Sequence, residues 1–341
     1  SHSPQIITNI MSTTTIPISQ IDILAPPPSP MSLLNYNQSL QYNSNSPDSN
    51  TLTMNDEQIN SLLQQGFTRG LAKSLTGTRL AFPLRIWIVD NSGSMNAHDG
   101  NLITIDTTTT SASALKRGNG NIKMKRCTRW DELRDCISHH IKMAALVKAP
   151  SRFRLLNNPG AHVGGIQEFT VATTTETTHY ESNNIDDHIN IHQEEVDRAL
   201  AIMHQISPAS CTPLAKHVRE INQIVRAMTP SLVAAGQRVS IIIATDGLPT
   251  DDRGYSGNYP QHQFVESLRL LEGLPVWVVI RLCTDEREVV HFYNNLDQEL
   301  ELSLEVLDDF CGEAEEVYQH NSWLTYALPL HRCREMGYHD R

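Results

Sequence analysis

Asp90, Ser92 and Ser94 stand two residues apart at the end of an apolar run, in the stretch FPLRIWIVDNSGSM from Phe82 to Met95. Their types suit the holding of a hard cation. The run Leu84 to Val89 is β-branched and aromatic, as expected of a strand buried on both faces. In Asp-x-Ser-x-Ser, alternate side chains can turn toward a common point at the strand's carboxyl end, where open α/β sheets place their ligands. One carboxylate with neutral hydroxyl oxygens suits Mg2+ and leaves charge on the ion for an outside anion. Asp and Ser also cluster in ordinary turns, so these five residues by themselves are a weak signal.

These residues resemble the DxSxS signature of the von Willebrand factor type A domain, whose metal-ion-dependent adhesion site also uses a Thr and a second Asp further along the chain. A residue is present for each. Thr212 lies in Ser-Pro-Ala-Ser-Cys-Thr-Pro-Leu, a loop entering a helix, and Asp246 lies in Ile-Ile-Ile-Ala-Thr-Asp-Gly, a second buried strand ending in an acid. The resemblance covers about residues 82–321. It implies that Ser92, Ser94 and Thr212 offer oxygens to a divalent ion, Mg2+ or Mn2+, with Asp90 and Asp246 bonded directly or through waters. It also implies that the last coordination place belongs to an Asp or Glu of a protein partner. Related adhesion domains carry a second cation site built from paired acids after the DxSxS. This chain has Ala97 and His98 there, so the resemblance stops short of integrin β-type regulation.

The elements that must position these residues follow from the patterning. Apolar runs ending in acids, alternating with amphipathic stretches, predict an α/β fold: a doubly wound, mostly parallel central sheet flanked by helices. Residues 1–50 are rich in Ser, Asn, Thr, Gln and Pro, with Pro26-Pro27-Pro28-Ser29-Pro30, and read as a disordered tail. Residues 53–77 form an amphipathic helical segment, with Thr53 or Asn55 as cap and Ile59, Leu63, Phe67, Leu71 and Leu75 on one face. Around Gly66-Phe67 this segment faintly resembles the first two helices of a ubiquitin-associated domain, without its third. The type A domain itself is expected over residues 82–321, with a C-terminal extension over 322–341 that covers the sheet.

After Met95 a β-hairpin insertion is expected, from the strand-like Leu102 to Ile105 and Thr107 to Thr110, the turn signal Gly118-Asn119-Gly120-Asn121, and an end near Cys127. No acid lies between Asp106 and Asp131, whereas Lys116, Arg117, Lys123, Lys125, Arg126 and Arg129 are all basic. A solvated hairpin is one reading. The other is that Lys123, Lys125 and Arg126 stand beside the metal loop and steer an acidic partner toward it. Thr128 and Asp131 predict a capped helix, with Trp130, Leu133, Ile137 and Ile141 on its buried stripe. His139 and His140 on that helix have no second His at metal spacing and read as packing or surface residues. Two strands follow, Arg152 to Leu156 and Ile166 to Thr173, then helices from Ile191 and after Thr212-Pro213. The strands Gln237 to Ala244 and Pro275 to Leu282, with a helix between them, continue the alternation. A helix from Asp285, an edge strand Leu302 to Val306 and a helix from Asp309 complete it, while His331 and Cys333 look isolated.

Composition sets limits. The formal net charge of -11 argues against general nucleic-acid binding, because a phosphate-tracking surface leaves a basic balance. None of the six cysteines forms a CxxC pair, and no apolar leader or spanning run is visible, so reduced thiols and an intracellular location are expected. Catalysis is not expected. A haloacid-dehalogenase-type phosphatase needs a second Asp two residues after its nucleophile, and Ser92 stands there; no Lys-bearing P-loop, GxSxG or HExxH is present. The expected function is thus non-catalytic, protein-binding and cation-mediated. An intracellular adaptor or scaffold of the ubiquitin pathway is the alternative, and a Mg2+-dependent phosphatase is the less favoured one.

Overall fold

In the computed structural model the described residues are 54–106, 121–173 and 185–337. The apolar run after Phe82 is strand β1 (Leu84–Val89), buried at every position, and it lies inside a six-stranded sheet. β4 (Ser151–Leu155) pairs with it on one side and β6 (Val239–Thr245) on the other, both parallel. β7 (Val276–Leu282) and β8 (Leu304–Leu307) extend the sheet in parallel beyond β6. β5 (Glu168–Val171) closes the opposite edge, antiparallel to β4. The chain leaves β1 for β4 and β5 on one side and then returns to β6 on the other. The crevice at the carboxyl ends of β1 and β6 is therefore the switch point of the sheet.

Strand residues alternate between two cores, as the period of two requires. Trp87, Val89, Phe153, Ile242 and Ala244 face one, where Leu133 and Ile137 of α3 (Arg129–Leu146) and Met203 of α4 (Ile185–Gln205) cover them. Ile86, Ile88, Ile241 and Ile243 face the other. That side is covered by α5 (Leu214–Ala235), α6 (Asn258–Arg269) and α7 (Arg287–Glu299), through Val218, Ile221, Phe264 and Tyr293. The chain ends with α8 (Phe310–His320) and α9 (Leu328–Glu335). The expected α/β architecture is present, with element ends displaced by a few residues, as at Arg287 rather than Asp285.

The segment before β1 is two helices rather than one continuous stripe. α1 (Asp56–Gln64) opens on an Asn55/Gln58 capping box, and α2 (Arg69–Ala81) runs further than expected. Between them Gly66 takes φ +90°, a conformation that suits glycine and ends the first helix. Phe67 is only 4% exposed and shares a core with Trp87, so this segment packs on the sheet and Phe67 is not presented to solvent.

The C-terminal stretch also departs from a loose cover, since Cys333 and Met336 of the α9 region are core residues. Gln58 Nε2 donates to the Leu146 carbonyl at the far end of α3, and Ser240 Oγ at the start of β6 donates to the Met336 carbonyl. Residues 54–58 and 336–337 therefore both sit at the amino ends of the central strands.

β2 (Gly100–Asp106) and β3 (Asn121–Cys127) pair antiparallel from Gly100↔Cys127 to Asp106↔Asn121. Their connection, with the expected Thr107 to Thr110 strand and most of the Gly118 to Asn121 turn, lies outside the described residues, as does the expected tail over residues 1–50. A Cβ at Gly100 would lie 2.7 Å from the Thr128 carbonyl oxygen, so only glycine lets the two stems cross this closely. No helix among the described residues is long and apolar enough to cross a membrane.

Candidate metal centre

β1 and β6 each end on an acid, so their parallel pairing brings Asp90 and Asp246 to the switch point from adjacent strands. Both are buried, at 0% and 1% exposure. A continuous polar chain joins them to the two serines. Asp90 Oδ1 accepts from the Ser92 backbone N–H at 2.8 Å, Ser92 Oγ and Ser94 Oγ are 3.0 Å apart, and Ser94 Oγ donates to Asp246 Oδ1 at 2.8 Å. The Thr245 hydroxyl donates to Asp90 Oδ2 at 2.6 Å. A short 3-10 turn, Gly93–Asn96, holds the serine loop in this shape.

Thr212 comes from the third loop and is also buried, at 5% exposure. That loop is stitched to the first one by the Gly93 N–H donating to the Ser210 carbonyl and the Ala209 N–H donating to the Asn91 carbonyl. It is tied to the Asp246 loop by the Thr212 N–H donating to Thr250 Oγ1 at 2.9 Å. Asn157 after β4 donates to the Cys211 carbonyl and pairs with Asn91, which closes the frame. The backbone bonds thus bring the Thr212 loop against both acid-bearing loops. α5 begins two residues later, at Leu214.

Burial and the neighbouring Asp246 hold the Asp90 carboxyl above the ordinary carboxylate range. Burial raises Asp246 as well, against the opposing pull of Ser94 and Arg129. Asp90 has hydrogen-bond donors but, among the described residues, no ion-pair partner. A buried carboxylate without a counter-charge is costly and is relieved either by a proton or by a bound cation. The donor set of carboxylates and hydroxyls is that of a hard divalent ion, so the residues fit Mg2+ or Mn2+.

Arg129 is the functional residue that sequence reasoning placed wrongly, among solvated cations of the hairpin. It is 4% exposed. Its guanidinium bonds Asp246 Oδ2 at 3.0 Å, Asp99 through both carboxylate oxygens at 2.7 and 2.6 Å, and Glu286 at 2.8 Å. Its backbone N–H donates to the Ala97 carbonyl, docking α3 on the metal loop. The hydrogen bond from Arg129 is the main cause of the lowered Asp99 pKa. One signal was available: an arginine as the first residue of a capped helix opposes the helix dipole, so acids from elsewhere must hold it.

Of the expected steering residues, Lys125 and Arg126 are exposed on β3, and Arg126 donates to the Asp99 carbonyl at 2.9 Å. Lys123 pairs with Thr104 through the backbone, and its side chain lies outside the described residues. Asp251, in the loop after β6, accepts from the backbone N–H groups of Arg253 and Tyr255, as an ordinary turn residue does. No protein-family model matches the chain, and no curated protein matches it.

Proposed function

We propose that this is a non-catalytic, protein-binding domain of the von Willebrand type A kind, which uses a divalent ion to dock an acidic side chain of a partner protein. The supporting observation is the polar chain Asp90–Ser92–Ser94–Asp246 at the switch point, with the Thr212 loop hydrogen-bonded to both of its ends. Asp90, Ser92, Ser94, Thr212 and Asp246 would hold Mg2+ or Mn2+. When bound, the ion supplies Lewis acidity and unspent positive charge. Asp90 and Asp246, the latter already partly neutralised by Arg129, do not saturate that charge, so a carboxylate from outside gains both attraction and a ligand position. Nothing in the site activates a nucleophile: Ser92 and Ser94 bond each other and acids, with no histidine or lysine bonded to them among the described residues.

The test is Mn2+ binding followed by electron paramagnetic resonance, with Asp90→Ala as control. A panel of peptides differing only in Asp or Glu against Asn or Gln is then added. The reading requires Mn2+ uptake that Asp90→Ala abolishes, and peptide binding that needs both the ion and a free carboxylate. Mn2+ uptake unaffected by Asp90→Ala, or equal binding of amide and acid peptides, overturns it.

A further inference from the structure

α3 carries Cys136 and His140, and α9 carries His331 and Glu335; within each pair the residues are four apart and share a helix face. The two faces meet in the interior. Cys136, His140, His331 and Glu335 are 0%, 2%, 1% and 0% exposed. Cys136 Sγ lies 3.4 Å and His331 Nε2 3.3 Å from Glu335 Oε1, and His140 Nε2 lies 2.9 Å from Glu335 Oε2. Ligand atoms of Cys136, His140 and Glu335 all fall within 4.8 Å of one another. A tetrahedral zinc shell, with bonds of about 2.0 to 2.3 Å, has edges of roughly 3.3 to 3.8 Å.

We propose that Cys136, His140 and Glu335 bind a Zn2+ ion that fastens the C-terminal helix to the domain, with His331 beside them. A thiolate, an imidazole and a carboxylate are three ligand types that zinc takes, and His331, which lies against Glu335 but outside that group of three, is the candidate for the fourth place. Two features point to an ion rather than to packing alone. His331 Nε2, buried 3.3 Å from Glu335 Oε1, makes a close polar contact there but no well-angled hydrogen bond, an arrangement that a metal bond would improve. The rings are also held from behind: Tyr326 Oη lies 3.1 Å from His331 Nδ1, and Trp87 packs on the His140 ring at 4.6 Å between centroids.

Arg281 and Arg332 also reach Glu335, which is what a purely ionic cluster would show. Each has a second acid, however, Glu132 for Arg281 and Asp135 for Arg332. Three carboxylates against two guanidiniums leave one negative charge. Binding of Zn2+ with loss of the Cys136 thiol proton to solvent brings the cluster to neutrality. A small cavity lined by Glu132, Asp135, Arg281, His331 and Arg332 lies on the solvent side of His331 and the two arginines.

The full chain, stripped of metal and titrated with Co2+, tests this. The expected result is one equivalent that carries the thiolate-to-cobalt charge-transfer band and tetrahedral visible bands, whatever Co2+ the oxygen ligands around Asp90 take up without such a band. Zn2+ should displace it and excess Mg2+ should not. Asp90→Ala and Cys333→Ser should retain the band, and Cys136→Ser should lose it. The same ion should raise the melting temperature of the wild-type chain, and a strong chelator should lower it again. Absence of the band in the wild-type chain, or its survival in a folded Cys136→Ser chain, overturns the proposal and leaves an ionic cluster only. If Cys136→Ser does not fold, the wild-type cobalt spectrum decides alone.

Discussion

At the scale of single residues, the site is governed by how a buried acid finds a counter-charge. Arg129 already serves Asp246, so it competes with a cation for that carboxylate. Arg129→Gln should tighten Mg2+ binding by roughly tenfold, about 1.4 kcal/mol. It should also destabilise the ion-free chain by roughly 3 kcal/mol, because the buried Asp246 carboxylate loses its partner. Calorimetric titration and urea unfolding with and without Mg2+ check both directions. Asp90 makes the second case. In chelator, its raised carboxyl pKa means that the folded chain binds a proton the unfolded chain has already released. Stability should therefore fall as pH rises from the ordinary carboxylate value of about 4 toward neutrality. Asp90→Asn should flatten that slope in melting curves, and saturating Mg2+ should reverse it, since the ion takes only the ionised acid. Asp90 and Asp246 were legible as acids that end apolar strands, whereas Ser92, Ser94 and Thr212 were joined to both acids in one site only through the resemblance to the type A signature. Arg129 was not legible, because its partners Asp99, Asp246 and Glu286 come from three separate stretches and its neighbours in sequence are ordinary hairpin cations.

At the scale of elements, α3 and the β2–β3 pair connect the site to its surroundings. The helix begins at Thr128, whose hydroxyl accepts from the Asp131 N–H, and its first residue is Arg129. Lys125 and Arg126 lie just before it on an exposed strand, so their field acts close to the metal loop. Reversing Lys123, Lys125 and Arg126 to Glu should slow association with an acidic peptide severalfold at low salt and leave dissociation nearly unchanged. Stopped-flow rates at two ionic strengths check this, and equal association rates at low salt would remove the steering role. The strands and long helices were readable from hydrophobic period. The break at Gly66 was not, since Ile59, Leu63, Phe67, Leu71 and Leu75 keep one period across it, and only the glycine's positive φ interrupts the helix. The meeting of α3 with α9 was hidden for another reason: Cys136 and Glu335 are 199 residues apart, and neither helix carries a complete ligand pattern of its own.

At the scale of the molecule, the segments before β1 and after β8 are parts of one core rather than appendages. α1, the turn after it and α2 bury Ile59, Leu62, Phe67 and Leu75 against the sheet, and the α9 region buries Cys333 and Met336 in the same cluster. Removing the chain after Asn321 should therefore cost more than roughly 3 kcal/mol, because it opens core surface and leaves Arg281 and His140 without Glu335. Urea unfolding of the shortened chain, compared with the full one, measures the loss. The same arrangement gives the protein a polarity. Residues 54–58 and 336–337 sit at one pole, the two strand-end acids at the other, with the length of the sheet between them. Among the described residues, the chain therefore enters and leaves the fold at the pole opposite the rim that carries Asp90 and Asp246. A label fixed at that pole should leave the proposed ion uptake at the rim unchanged.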